Sequence, residues 1–136
     1  GEEPKPLSKT ASGGELSRVM LAIKKVLAGR GGVGTVIFDE IDTGVSGRAA
    51  QKIGLKLGQV AKSRQVICVT HLAQVAAYAG HHSRIYKQVE GERTYTHVDV
   101  LVREDRVKEL ARINVGENIT STALDSAREM LTLAGN

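Results

Sequence analysis

The sequence predicts an α/β fold, a mainly parallel sheet flanked by helices with an antiparallel edge hairpin, and three observations carry that expectation. Two short apolar runs, Thr35 to Phe38 and Gln65 to Val69, each follow a segment with helical periodicity. Each run ends in residues fit for chemistry, Asp39-Glu40 after the first and His71 after the second. Farther on, Arg84 to Val89 and Thr94 to Val102 alternate with period two around Glu90-Gly91-Glu92-Arg93, as a hairpin does.

The elements follow in order. Pro4 and Pro6 oppose a helix, so residues 1–10 read as extended. Ser12-Gly13-Gly14-Glu15 fits a capping box, with Ser12 accepting the N–H of Glu15 and Glu15 reaching back to Ser12. The helix it opens runs from Glu15 to Ala28, with Leu16, Val19, Met20, Ile23 and Leu27 on one apolar face. Gly29-Arg30-Gly31-Gly32 ends it with residues suited to left-handed turns. Thr35 to Phe38 is continuous rather than alternating, the pattern of a strand buried on both faces, and Gln65 to Val69 reads the same way. Between them a helix from Arg48 to Lys62 turns Ala50, Ile53, Leu57 and Val60 inward, with Ser46 a candidate cap. A short helix from Ala73 to Tyr78 precedes the hairpin, with His81-His82 as a polar turn between them. Helices at Asp105–Ile113 and Thr120–Leu133 follow it, the second with Leu124, Ala127 and Leu131 inward.

With 136 residues and 41% apolar content the chain suits one compact domain. The net charge of +4 tolerates nucleic acid nearby without identifying a surface for it. Aromatics at 3% and the absence of Trp argue against a base-stacking platform for single strands. No apolar run is long enough to span a bilayer, so no membrane association is expected. Cys68 is the only cysteine; it cannot form an internal disulfide and suits a reducing, cytoplasmic setting.

Glycines at 13 and 14 need a reason beyond the cap, because each costs about 1 kcal/mol relative to alanine in a helix. A backbone that must approach another group closely supplies one, and a helix start with free N–H groups is an anion site. In open α/β sheets ligands collect at the carboxyl ends of the strands, where Asp39, Glu40 and His71 stand. Phosphoryl transfer to water needs a carboxylate for Mg²⁺, a base or orienting group for water, and donors for charge on the γ-phosphate. Each residue has a plainer reading as well: adjacent acids form solvated turns, and a strand-end histidine is often merely hydrogen-bonded. The loop Asp42-Thr43-Gly44-Val45-Ser46-Gly47 lines the same region or meets a partner subunit.

Absences narrow the reading. The phosphate-cradling G-x-x-x-x-G-K-[ST] loop is missing, and the glycine-rich Gly29 to Gly34 lacks the Lys-Ser/Thr that would make one. Any nucleotide must therefore be held mainly by another segment or chain. Cys68 and His71 have ligand-like spacing, but there is no second cysteine and strand alternation points them to opposite faces, so Cys68 reads as a small core residue. Ser12, His71 and Asp39 compose a hydrolase triad only on paper, since no G-x-S-x-G elbow is present.

Thr10-Ala-Ser-Gly-Gly-Glu-Leu-Ser-Arg18, Val36-Ile-Phe-Asp-Glu40, Ile41-Asp-Thr-Gly-Val-Ser-Gly47 and Val69-Thr-His71 together resemble the C-terminal half of an ABC-type ATPase head, a P-loop NTPase fold. In order they match the signature motif, Walker B with its glutamate, the D-loop and the switch histidine, with Ala11 standing where the signature usually has Leu. Within that group the wording of these motifs, Thr70-His-Leu-Ala-Gln-Val-Ala-Ala77, and the tail Arg106-Val-Lys-Glu-Leu-Ala-Arg112 with Ile119-Thr120 resemble the SMC-like RecN family over nearly the whole chain. The resemblance implies that residues 1–136 form the C-terminal lobe of the head, with the P-loop lobe and a long coiled coil lying outside this chain. It implies ATP sandwiched between two heads of a homodimer, Mg²⁺ as cofactor, DNA as a partner of the intact protein, a role in repair of double-strand breaks, and a bacterial cytoplasmic, nucleoid-associated setting. Asp39 would help hold Mg²⁺, Glu40 would polarise the attacking water and His71 would contact the γ-phosphate. Ser12, Gly13 and Gly14 would face the nucleotide of the opposite head, and Asp42 would lie at the head–head seam. The alternatives are another ABC-type ATPase cassette, or a non-catalytic module that only binds DNA or a partner.

Overall fold

The computed structural model describes residue 6, residues 10–27 and residues 33–136. Its elements are α1 (Gly13–Val26), β1 (Thr35–Phe38), α2 (Gly47–Ala61), β2 (Gln65–Cys68), α3 (Ala73–Ala76), β3 (Ser83–Glu90), β4 (Arg93–Val100), α4 (Arg103–Val115) and α5 (Ser121–Ala134), the order the sequence predicts. The expected Gly29–Gly32 turn and most of the expected extended lead lie outside the described residues. Of that lead, Thr10 is helical and its hydroxyl donates to the Pro6 carbonyl at 3.0 Å, so the extended reading fails there. Proline is compatible with a first helical turn, where its missing N–H has no partner to lose.

β1 and β2 pair in parallel, with Thr35 opposite Gln65 and Phe38 opposite Cys68. β3 and β4 pair antiparallel around Gly91-Glu92, from Ser83 opposite Val100 to Glu90 opposite Arg93. Among the described residues these are two separate two-stranded sheets, so the hairpin stands apart from the parallel pair rather than extending it. The chain passes through α3, which packs on α2, before the hairpin begins.

Two apolar clusters hold the chain together. The first joins Leu21 of α1, Val36 and Phe38 of β1, Ile41, and the inward stripe Ala50, Ile53, Leu57 and Val60 of α2, as that helix's periodicity predicts. The second joins Val107, Leu110 and Ala111 of α4 to Ala123, Ala127 and Leu131 of α5. The single turn of α3 stitches them: Val75 belongs to the first cluster, Ala73, Ala76 and Ala77 to the second. Asn136 Nδ2 donates to the Ala77 carbonyl at 2.9 Å and Arg106 to that of Ala79 at 2.7 Å, fastening both C-terminal helices to the α3 segment. Buried Glu109 receives Arg112 through two bonds of 2.7 and 2.8 Å, so its charge is paired. Thr120 caps α5 by accepting the Ala123 N–H. Ser46 stands at the cap position of α2 but makes no side-chain cap bond.

The parallel strands depart from expectation. Neither is buried on both faces: Val36 and Phe38 point into the first cluster, while Ile37 on the other side of β1 is 68% exposed and Ile67 of β2 is 45% exposed. A second covering layer is not supplied by the described residues. The apolar face expected of α1 is likewise open. Leu16, Val19, Met20, Ile23 and Leu27 are all at least 42% exposed, and the helix instead turns Leu21 toward α2. The hairpin repeats the pattern, with Ile85, Val89, Val98 and Val100 exposed on one face.

The α2–α3 contact sets a sharp test. A Cβ built on Gly54 would lie 2.5 Å from Tyr78 Cδ2 and 3.0 Å from the Gln74 carbonyl oxygen, too close for any side chain without movement. Gly54→Ala is expected to destabilise the protein by roughly 1–3 kcal/mol through overpacking, despite alanine's better helix propensity. The check is the urea midpoint, and an unchanged or raised midpoint would show that α2 and α3 separate freely.

Candidate active site

The site grows from the end of β1. Phe38 is the strand's last buried residue, and the chain then turns out of the core at Asp39 and Glu40, both exposed. One Asp39 carboxylate oxygen accepts the Glu40 N–H at 2.9 Å, which tightens this turn. Glu40 has φ 55°, the only non-glycine residue with positive φ among those described. The left-handed region costs an L-residue about 1–2 kcal/mol, and such strain concentrates at functional positions. Sequence reasoning offered no signal for it.

The start of α1 is pressed onto this turn. The capping box is present in full: Ser12 Oγ accepts the Glu15 N–H at 3.3 Å, and Glu15 accepts the Ser12 N–H at 2.8 Å. The Ser12 N–H and the Ser12 hydroxyl, which donates to the same carboxylate oxygen at 2.9 Å, together with Arg18 nearby, hold the Glu15 carboxyl below its ordinary pKa. A Cβ on Gly14 would lie 2.8 Å from the Glu40 carbonyl oxygen and 3.1 Å from Thr43 Cβ, while one on Gly13 would meet Glu40 Oε2 at 2.8 Å. The close approach that the paired glycines call for is thus made, in this chain, to its own Glu40–Thr43 turn. Gly14 is buried there, whereas Ser12 and Gly13 stay exposed. Side chains of α1 bind the same turn: Ser17 donates to the Asp39 carbonyl at 3.0 Å, and Arg18 to those of Ile41 and Thr43 at 3.1 and 2.9 Å.

The end of β2 is tied in by Asp42. This residue, expected at a seam between heads, is 2% exposed, and its carboxylate is used within the chain. Its Oδ2 accepts the Thr70 hydroxyl and the His71 N–H, the latter at 3.0 Å, and lies 3.3 Å from His71 Nδ1. Thr70 Oγ1 in turn accepts the Leu72 N–H at 3.1 Å. The β1 and β2 ends are already level, since the Val69 N–H donates to the Phe38 carbonyl at 3.0 Å. Asp42 therefore fixes the backbone that carries His71 and engages its Nδ1, leaving a 72%-exposed imidazole at the mouth of the site. Its burial makes it a positioning residue, and Thr70, not singled out from the sequence, is its partner.

Asp39, Glu40, His71 and the Ser12-Gly13-Gly14 helix start thus share one end of the parallel pair. Cys68 lies apart from this chemistry: it packs against the first cluster, and burial, with the Asp42 and Asp39 charges, pushes its thiol up to about 11, so it stays protonated at neutral pH. The second oxygen of exposed Asp39 has no partner among the hydrogen bonds of the described residues, which suits one hard-cation ligand of the kind Mg²⁺ takes. Among the described residues no three such groups gather, so the donors fit an ion held jointly with phosphate oxygens rather than in a cage built by this chain alone.

Two variants test the geometry. Gly14→Ala must push the Glu40 backbone and is expected to destabilise by roughly 1–3 kcal/mol, whereas Gly13→Ala meets only the mobile end of a carboxylate and is expected to cost less. Thermal melts rank them, and the reverse order would contradict the packing of α1 on the turn. Asp42→Ala leaves the Thr70 hydroxyl and the His71 N–H without their acceptor, at about 1–3 kcal/mol for each group that stays buried. Faster hydrogen exchange at the His71 amide is the expected readout, and unchanged protection would remove Asp42 from this role.

With the geometry established, the relatives can be compared. No family model matches the chain. The chain is 48% identical over 134 residues to DNA repair protein RecN of Bacillus subtilis, covering 98% of itself and 23% of that protein. It is 50% identical over 131 residues to DNA repair protein RecN of Deinococcus radiodurans, covering 96% of itself and 23% of that protein. Against DNA repair protein RecN of Halalkalibacterium halodurans the figures are 48% over 134 residues, 98% and 24%. A solved structure described as "Structural biochemistry of ATP-driven dimerization and DNA stimulated activation of SMC ATPases" superposes with a TM-score of 0.55 at 22% identity, covering 84% of this chain and 68% of that one. This likeness establishes the fold: an α/β arrangement of the kind found in the head of an SMC ATPase, with a parallel sheet and an antiparallel hairpin. The chain spans about a quarter of the length of the curated relatives it matches, and over that span it belongs to the RecN family.

Proposed function

We propose that this chain is the C-terminal lobe of an SMC-like, ABC-type ATPase head, which in the intact protein hydrolyses ATP between two paired heads during repair of DNA double-strand breaks. One observation carries the reading: Asp39, Glu40, His71 and the capped start of α1 converge at the carboxyl end of a parallel strand pair, where α/β folds bind ligands. The open faces support the lobe assignment. Ile37, Ile67 and the α1 stripe are exposed apolar surfaces that a further layer would cover, and the sequence contains no phosphate-cradling loop. A P-loop lobe of the same protein is the partner assigned to them, and a second head is the partner assigned to the start of α1. Among the described residues no helix is long and apolar enough to cross a membrane. The cytoplasm, beside the nucleoid, is the proposed setting.

In this reading each residue has one task. Asp39 offers its unpaired oxygen to Mg²⁺, which when bound supplies charge for the phosphate oxygens. Glu40 accepts a hydrogen bond from the attacking water and orients it. His71, its backbone N–H bonded to Asp42 and its Nδ1 3.3 Å from that carboxylate, contacts the γ-phosphate, where a donor matters most as charge develops. The exposed Ser12 and Gly13 at the start of α1 receive the γ-phosphate held by the other head, through a helix terminus that favours anions. DNA is the proposed partner of the intact protein, in keeping with the repair proteins it resembles.

Glu40→Gln in the intact protein is expected to bind ATP and hydrolyse it about 10²–10⁴-fold more slowly, since the amide keeps the shape and loses the base. Single-turnover kinetics check this, and near-normal turnover would remove Glu40 from the chemistry. Ser12→Arg is expected to spare ATP binding and block head pairing. Mixed dimers of the two variants, confirmed by crosslinking, contain one intact composite site. They should regain up to about half the activity if sites act independently. Confirmed mixed dimers without any regain would count against sites shared between heads that act independently.

A further inference from the structure

The face of α1 opposite its open apolar stripe leads to a second surface. Between α1 and α2 runs a groove of about 400 Å³, floored by Leu21, Ala22, Val26 and Ile53. Four cations edge it: Arg18 and Lys25 from α1, Lys52 and Lys56 from α2. Among the described residues, no ion pair involves any of these four. Arg18 is held by backbone carbonyls of Ile41 and Thr43, so its position is fixed by the fold. Lys25 lies against Lys56, and that contact lowers the pKa of Lys25. Among the described residues no carboxylate is paired with either ammonium group, and the two cations over an apolar floor suit a negatively charged partner.

Spacing and chemistry narrow the occupant. Lys52 and Lys56 are four residues apart and Arg18 and Lys25 seven apart, rises of about 6 and 10 Å along their helices. The groove is therefore edged over about two turns on the α1 side and about one on the α2 side. Nucleic acid phosphates would satisfy the cations but leave the floor wet, including Val26 at 80% exposure. A helix that is apolar along one stripe and acidic along both flanks satisfies floor and edges together, the helix-in-groove mode of recognition. The volume falls within the about 300–1,000 Å³ typical of ligand sites.

We infer that the α1–α2 groove is a docking site for a short, acidic, amphipathic helix of a partner protein, with apolar side chains seated on Leu21, Ala22 and Ile53 and carboxylates paired with Lys25, Lys52 and Lys56. Arg18 links one edge of the groove to the Glu40–Thr43 turn through the Ile41 and Thr43 carbonyls, which leaves Lys25, Lys52 and Lys56 for the partner's carboxylates.

The test uses the intact protein and a labelled, helix-biased peptide with leucines at i, i+3 and i+7 and glutamates on both flanks, read by fluorescence anisotropy. A scrambled peptide of the same composition and a duplex oligonucleotide are the comparisons. The expected result is saturable binding of the patterned peptide, roughly tenfold weaker after Lys52→Glu with Lys56→Glu. Binding should be lost after Ala22→Trp, which fills the floor from an exposed helix position. If Ala22→Trp fails to fold, Val26→Arg is used instead. Three results would overturn the inference. The scrambled peptide binds as well as the patterned one, which makes the surface a generic charge patch. The duplex binds, is lost with the lysine reversals and is indifferent to Ala22→Trp, which makes it a nucleic-acid surface. Lys52 and Lys56 resist acylation in the intact protein before peptide is added, which shows the groove already filled by its own chain.

Discussion

The arrangement depends on one close contact, the first turn of α1 laid against the Glu40–Thr43 turn with no Cβ between them. Because Gly14 lets the backbones meet, Ser17 and Arg18 come within reach of the carbonyls of Asp39, Ile41 and Thr43, which a turn of this kind would otherwise leave to water. Those bonds fix the exit of β1, and Asp42, four residues past Phe38, can then bridge to the exit of β2. The ligand-facing edge is therefore a chain of dependencies: glycine contact, carbonyl capture, carboxylate bridge, histidine. Its members are spread from Gly14 to His71, yet only Gly14, Ile41 and Asp42 are buried.

Much of this was legible in the sequence where the signal is local. The capping box at Ser12, the inward stripe of α2, the hairpin about Gly91 and the acids after β1 all follow from short-range rules, and the structure contains each of them. What was not legible is where the covering layers come from. A continuous apolar run says that a strand wants burial on both faces; it does not say that the second layer belongs to the same stretch of chain. Ile37 and Ile67 carry the pattern of a buried strand and the exposure of a surface one for that reason. The α1 stripe misled in the same way, since its periodicity names a buried face while Leu21, outside that stripe, is the α1 side chain buried in the first cluster.

The site residues divide along the same line. Asp39, Glu40 and His71 announce themselves by residue type at strand ends. Asp42 was expected at a seam between heads, because nothing local reveals that Thr70 and the His71 amide will close on it from a strand paired in parallel. The glycine pair was legible as a demand for close approach, but not the identity of the group approached. Backbone conformation at Glu40 was invisible, since no residue type marks a left-handed glutamate.

That conformation sets stability against chemistry at a single codon. Glycine at position 40 would release the strain that φ 55° imposes on a residue with a Cβ, and would delete the carboxylate in the same step. A screen for thermal robustness alone would be drawn toward that exchange, whereas any selection acting through turnover would reject it. Position 40 should therefore sort collections of variants by the kind of selection they have experienced.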